Sequence, residues 1–308
     1  GHGERDLTAT SGEGYSAVMQ DLSSQNYEAK SISLMEEAKV PPFCSALMVL
    51  GPKKAFFPKE ITALREYLDT GGRAFFALDP NVKGDTSSSP EIAEMLVDWY
   101  VVVPNNLVID PASKVANVSP TVPLIGIYSK ESPITRDFTG QNTSLFALTS
   151  TVDFKPGTPT TLTTFWLAKT TAYAFAKSNF AKELASGKIV KDPNKDVQGP
   201  NTVMAAVSGT RMGVAKPEKT PRIVVAGTSE FASNKLIKYG GNSDLMLNAI
   251  SWLAGDESLI SIRPKDESND KATLSQVELS YSKFLTMLLL PGSSMFMGIL
   301  VWRRRKRL

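Results

Sequence analysis

Residues 45–80 constrain the fold more than any other stretch. "SALMVLGP" (45–52) is a short apolar run that ends in Gly-Pro. "PKEITALREYLDTGG" (58–72) follows, with Pro58 at a first helical position, an apolar stripe of Ile61, Leu64 and Leu68, and Gly71-Gly72 as a stop. "RAFFALDP" (73–80) is a second apolar run. Strand, helix and strand at this spacing predict a right-handed βαβ crossover with both strands parallel in one sheet. The strands carry apolar residues on both faces, the pattern of parallel strands covered on two sides.

The same logic extends along the chain. Val18, Met19 and Leu22 recur at helical spacing, and "YEAKSISL" (27–34) alternates like a strand. "NVKGDTSSSP" (81–90) is a polar loop, "PEIAEMLVDWY" (90–100) a helix and "NLVID" (106–110) a short strand. Residues 111–221 are less regular and rich in Thr, Ser and Pro, with strand-like runs at "TVPLIGIY" (121–128) and "NTVMAAVSG" (201–209). Within them, "FAKELASGKIVKDPNKDVQGP" (180–200) reads as an exposed, mobile connection. "PRIVVAGTSEFASNK" (221–235) restores a buried strand, Ile223 to Ala226, with "GTSEF" as the turn after it. "GNSDLMLNAISWLAG" (241–255) is then a helix capped by Asn242 or Ser243, with Met246, Ile250 and Leu253 facing inward and Gly255 as its stop. The expected organisation is a first α/β part over 1–110, an irregular β-rich insert or second subdomain over 111–221, a closing βα part over 222–262 and a linker over 263–282.

The chain ends in "KFLTMLLLPGSSMFMGILVWRRRKRL". Phe284 to Trp302 is 19 residues without a charge, followed by five basic residues, Arg303 to Arg307. A bilayer core of about 30 Å needs roughly 20 apolar residues. The expectation is a transmembrane helix over 283–303 and a basic tail over 304–308, with Trp302 at the interface. The positive-inside rule keeps that tail cytoplasmic. Pro291, Gly292, Ser293 and Ser294 would form a tolerated kink. With Gly298 they would also offer a small-residue face for another helix.

Composition narrows the chemistry. The net charge of +3 includes the +5 of the terminal basic block, so the rest is slightly acidic and carries no nucleic-acid signature. Cys44 is the only cysteine, which excludes an intramolecular disulfide and a cysteine metal cluster. His2 is the only histidine, which excludes a multi-histidine metal site. Gly1 is not an initiator Met, and the expectation is that further sequence, including a first strand and a membrane segment, lies upstream.

Three stretches resemble one family: "GHGERDL" at the start, "GPKKAFFPKEITALREYLDTGGRAFFALDP", and "RIVVAGTSEFASN" with "GNSDLMLNAISWLAGDESLISIRPK". With the C-terminal run they resemble GldG-type auxiliary proteins of ABC transporters, named for gliding motility. The resemblance implies an extracytoplasmic α/β domain with a parallel, flavodoxin- or glutamine-amidotransferase-like sheet. It implies tethering to the bacterial inner membrane with the body in the periplasm, and an ABC permease and ATPase as partners. Self-association is compatible with it, and no cofactor is implied.

An amidotransferase-like sheet prompts a search for a nucleophile, which needs a sharp strand-to-helix turn and a base. Cys44 precedes its strand and reads as a packed thiol. Ser229 follows a strand, but "GTSEF" lacks the second glycine of G-x-S-x-G and no histidine lies downstream. "GPKKAFFPK" (51–59) is not a P-loop, and "GEG" (12–14) is too short to mark a nucleotide site. No catalytic set is therefore assigned. Ligands of open parallel sheets bind at the carboxyl ends of the strands. That rule nominates His2, Glu4, Asp79, Ser229 and Glu230 as one rim, against the simpler reading as turn and cap residues. The expected function is a non-enzymatic accessory subunit of an ABC transport system. A divergent anchored hydrolase and a structural envelope or motility scaffold stay open beside it.

Overall fold

The computed structural model describes residues 1–84, 87–140, 142–255 and 290–306. Residues 1–262 form one compact unit and 263–308 a second. The first is built on a six-stranded mixed sheet. Its strands are β1 (Leu47–Leu50), β2 (Arg73–Ala77), β3 (Ile127–Tyr128), β4 (Leu162–Lys169), β5 (Thr202–Gly209) and β6 (Arg222–Ala226), in the order β1-β2-β6-β5-β4-β3. β1 pairs parallel with β2, and β2 parallel with β6. β6 to β5, β5 to β4 and β4 to β3 are antiparallel.

The predicted βαβ unit is therefore present, but the expectation of a parallel sheet holds for only one half. The other half comes from residues 111–221, which supply β3, β4 and β5 instead of folding apart. Among the described residues, three smaller sheets flank the main one. They pair Phe175–Ser178 with both Asn106–Ile109 and Val197–Gln198, Val101–Val102 with Asp153–Phe154, and Leu124–Ile125 with Ser144–Leu145.

Helices cover both faces. On one face lie α1 (Ser16–Ser24) and, later in the chain, the helix Asn242–Ala254. Their Val18, Leu22, Met246 and Leu253 pack with Phe75, Ala77, Val224 and Ala226 of the strands. On the other face lie α2 (Pro58–Asp69) and α3 (Pro90–Val97), whose Leu64, Leu68, Ile92 and Leu96 pack with Ala74, Phe76, Ile223 and Val225. Adjacent strand residues thus enter opposite cores, as the pleat requires. α2 starts as predicted at Pro58, and Glu60 Oε2 accepts from Phe57 N at 2.9 Å to close its first turn.

Three expectations change. "YEAKSISL" forms no strand: residues 27–33 are irregular and Leu34–Glu37 is a short helix. Its alternation is real, but among the described residues no strand lies beside it to form a ladder. Residues 180–200 hold the helix Ala181–Ser186 and the strand Val197–Gln198. The helix Asn242–Ala254, hereafter α4, has no side-chain cap. Asn242 instead accepts from Leu145 N at 3.0 Å and donates to Phe231 O at 2.7 Å, tying the helix start to neighbouring loops. The far end of α4 is held by Arg73 Nη1 on Leu253 O (2.9 Å) and Arg222 Nη1 on Trp252 O (2.5 Å). These cations serve carbonyls of the last turn, at the negative end of the helix dipole, where Trp252 O also accepts from Gly255 N at 3.3 Å.

In the second unit, α5 spans Leu290–Arg305. Sixteen residues extend about 24 Å, less than the roughly 30 Å of a bilayer core. Among the described residues no helix is long and apolar enough to cross a membrane. Residues 283–289 of the expected span lie outside the described residues. Pro291 is the second residue of the described part of α5. Gly292, Ser293, Ser294 and Gly298 follow within the same helix.

Candidate functional site

β1, β2 and β6 all end at one rim, because they are parallel. From it emerge Gly51-Pro52, Leu78-Asp79 and Gly227–Glu230. Residues 1–14 lie along the same rim. Arg5 N donates to Leu50 O at 3.0 Å, and Lys53 N donates to His2 O at 2.8 Å. These bonds carry the Arg5 side chain in among the strand ends, where it is only 5% exposed.

Arg5 organises the cluster. Its Nε donates to Ser229 Oγ at 2.9 Å, and its Nη2 to Glu230 Oε1 at 2.5 Å and Asp79 Oδ2 at 3.3 Å. Its Nη1 reaches Glu13 O and Oε2, both at 3.4 Å. Ser229 Oγ donates in turn to Asp79 Oδ2 at 2.7 Å, and Ser229 N donates to Asp79 Oδ1. Tyr15, fully buried, closes the base by donating its hydroxyl to Ser229 O.

Three carboxylates thus surround one guanidinium. Burial alone would make the Arg5 proton easier to lose. Asp79 and Glu230 outweigh burial, so the Arg5 pKa is raised above its ordinary value. Burial, reinforced by the negative charge of Asp79, pushes the Tyr15 phenol well above the usual range. Gly51 is required by both geometry and space. Its φ is +64°, and a Cβ there would stand 2.4 Å from Ser229 Oγ and 2.7 Å from Asp79 Oδ2.

Asp79, Ser229 and Glu230 of the nominated rim are therefore brought together. Glu4 stands beside them but serves the backbone: its Oε1 accepts from Leu50 N at 3.1 Å. Burial raises the Glu4 carboxyl above its ordinary value, and the Leu50 N–H partly offsets this. His2 is directed elsewhere. Its Nε2 is 3.0 Å from Glu60 Oε1 and its ring stacks on Phe56 at 4.0 Å. Arg5, Glu13 and Tyr15 escaped sequence reasoning. One signal was present: an arginine directly after Glu4 in a loop that leads into a helix.

The arrangement limits the chemistry available. Ser229 Oγ donates to Asp79 and accepts from Arg5, and Ser229 is buried, so its hydroxyl is committed inside the fold. Attack by Oγ would first require breaking a charge-assisted network. Cys44 is half-buried and donates to Ala46 O at 3.1 Å, and burial raises its pKa, which disfavours the thiolate. Among the described residues, no group of three or more His, Cys, Asp or Glu side chains could hold a metal ion.

Fold and site together define an α/β domain with a mixed sheet and an internally paired polar cluster at its parallel strand ends. The chain belongs to the family described as ABC-type uncharacterized transport system, whose model matches residues 1–249. No curated protein matches it. Among solved structures it is similar to the mmIFT52 N-terminal domain, with a TM-score of 0.55 and 16% identity over 82% of this chain and 94% of that one. It is also similar to a ThuA-like protein from Bacteroides uniformis ATCC 8492, with a TM-score of 0.43 and 12% identity over 77% of this chain and 83% of that one. The first likeness shows a shared fold.

Proposed function

We propose that the chain is a non-enzymatic, membrane-anchored accessory subunit of an ABC transport system of the GldG type. Its α/β body stands outside the cytoplasmic membrane, in a bacterial periplasm. The run 284–302 anchors it and leaves Arg303–Arg307 in the cytoplasm. The observation that carries this reading is the family match across residues 1–249, which spans the whole strand-end cluster. The committed Ser229 hydroxyl supports an accessory role over the rival hydrolase, because the carboxylate that holds its proton, Asp79, is itself tied to Arg5 and His2 is turned to Glu60, so no histidine base faces the hydroxyl.

The partners are a multi-span permease and an ATPase. The chain has no P-loop of its own, so ATP hydrolysis is the partner's task. Gly292, Ser293, Ser294 and Gly298 supply the small-residue face against the permease. The rim of Asp79, Glu230 and the exposed Glu13 is the surface offered to a substrate or envelope partner.

The test is affinity purification of the full chain in mild detergent. Co-purification of an ATPase and a multi-span permease is the expected result. Recovery of neither, together with hydrolytic turnover that disappears in Ser229→Ala, would replace this reading with the hydrolase. Topology has its own check: a reporter fused after Leu308 is expected in the cytoplasm, and a periplasmic reporter would overturn the proposed orientation.

A further inference from the structure

Residues 180–200 read in the sequence as a mobile connection, but the fold builds them around a buried cation. Lys177 belongs to the strand Phe175–Ser178, and its side chain is only 7% exposed. Its Nζ donates to Val190 O at 2.8 Å and lies 3.0 Å from Glu183 Oε1 and 3.6 Å from Asp196 Oδ2. Glu183 Oε2 also accepts from Val190 N at 3.0 Å, and Asp196 Oδ2 from Asp192 N at 2.7 Å. Leu184 and Ile189 pack with Phe175 and Phe180 under the same loop. A buried ammonium with three acceptors from one loop fixes that loop as a unit.

The consequence is a separation of charge. From 177 to 198 the chain carries five lysines and three acids, close to an even mixture. The fold does not present them evenly. Glu183 and Asp196 are tied to Lys177, and Asp192 accepts from Asn194 N at 3.0 Å within its own turn. Lys182, Lys188, Lys191 and Lys195 are all exposed. Lys195 keeps a loose pair with Asp192 at 3.8 Å, and Lys191 donates to Gln198 Oε1. The acids thus hold the loop together from within, and the lysines set the field outside it.

The same surface exposes apolar side chains. Val190 is 70% exposed between Lys188 and Lys191, Val197 is 61% exposed two residues after Lys195, and Tyr173 is 75% exposed. Gln198 gathers them. Its Nε2 donates to Ala172 O and to Ala174 O, on either side of Tyr173, and its Oε1 accepts from Lys191, next to Val190. Lysines interleaved with exposed aliphatic and tyrosyl groups supply both forces that hold a protein on an anionic bilayer. The cations pair with headgroup phosphates, and the apolar groups enter the interface beneath them. A soluble polyanion would match the lysines alone.

We infer that the loop 180–198 is a docking surface for anionic phospholipid headgroups, with Lys182, Lys188, Lys191 and Lys195 on the phosphates and Val190 and Val197 at the interface. The inference rests on the reading of the chain as a membrane-anchored protein. It adds a second membrane contact, made by the body itself.

The test uses the full chain with Cys44→Ser, so that one new cysteine can carry a dye sensitive to polarity. In one chain the cysteine is Val190→Cys. In the control it is Met212→Cys, which is also exposed but lies beyond the opposite end of β5. Each chain is reconstituted into vesicles of phosphatidylcholine, with or without about one-third phosphatidylglycerol. The dye at 190 is expected to shift to the blue on the anionic vesicles only, and to lose the shift at high salt. The dye at 212 is expected to stay unshifted on both. Lys→Gln at 182, 188, 191 and 195 together should weaken the docking roughly several-hundred-fold, at about five-fold for each lysine. No shift at 190, or an equal shift on neutral vesicles, would overturn the inference. So would a shift at 190 with polyglutamate and none with vesicles, which would give the surface to an acidic protein. Washing the vesicles at high salt reads the anchor separately. A chain that washes off but shifts the dye at 190 in low salt would end the anchor reading and keep this surface. A chain that stays and leaves the dye unshifted would do the reverse.

Discussion

The two halves of the main sheet differ in where their polar groups go. In the parallel half, β1, β2 and β6 release their loops at one rim, and Arg5, Asp79, Ser229 and Glu230 meet there. In the antiparallel half, β5, β4 and β3 release loops at alternate ends. Polar contacts on those elements stay local, such as Lys169 Nζ over the Trp166 ring at 4.4 Å. Burial divides less sharply: β6 is buried at four of its five residues and β5 at five of its eight, whereas the more outlying β4 is buried at three of its eight. In this sheet the charge cluster lies where three parallel strands end together and the loop carrying Arg5 crosses them.

Arg5→Met should produce the largest effect. It leaves Asp79 and Glu230 without their counter-ion and Ser229 Oγ without its donor. The expected loss is about 3 kcal/mol, read from the denaturant midpoint. A loss below about 1 kcal/mol would show that the parallel rim is no more coupled than an ordinary surface. Gly51→Ala comes next. A Cβ driven against Ser229 Oγ and Asp79 Oδ2 at positive φ should cost about 2 kcal/mol without removing any charge.

A smaller effect is expected from pH. Burial holds the folded Glu4 carboxyl above its ordinary value of 4.5, so between the unfolded and folded values the folded chain binds more protons than the unfolded one. Stability from this group is therefore greatest below 4.5 and declines as pH rises through the folded value. Glu4→Gln should flatten that decline in a plot of thermal midpoint against pH while keeping an acceptor for Leu50 N. An unchanged slope would remove Glu4 from the account. The smallest effect belongs to the antiparallel edge, where Ile127 is 43% exposed. Ile127→Thr should change stability by less than about 0.5 kcal/mol. A cost comparable to that of Arg5→Met would dissolve the contrast between the halves.

Legibility in the sequence followed the same line. β1, α2, β2, β6 and α4 could be read because each is a contiguous run whose period and end signals lie within about fifteen residues. Asp79, Ser229 and Glu230 could be nominated because each directly follows such a run. Arg5 could not, because nothing local marks a side chain whose partners lie 74 and 225 residues away. His2 misled for the complementary reason: its place in a glycine-flanked turn was local, but its partner, Glu60, is set by how α2 docks. In the antiparallel half β5 was legible as "NTVMAAVSG" and β3 as the end of "TVPLIGIY", but β4 was missed because its burial shows no clean alternation, and the pairing directions depend on distant segments.

The sequence by itself determined the βα alternation, the apolar character of the parallel strands and the absence of a P-loop, a disulfide and a multi-histidine site. Those follow from periodicity and from which residue types are available at all. Only the tertiary structure decided that half the sheet is antiparallel and that Arg5 sits beneath three carboxylates. Those outcomes depend on which distant segments pack together, and packing is a property of the whole chain that no local window contains.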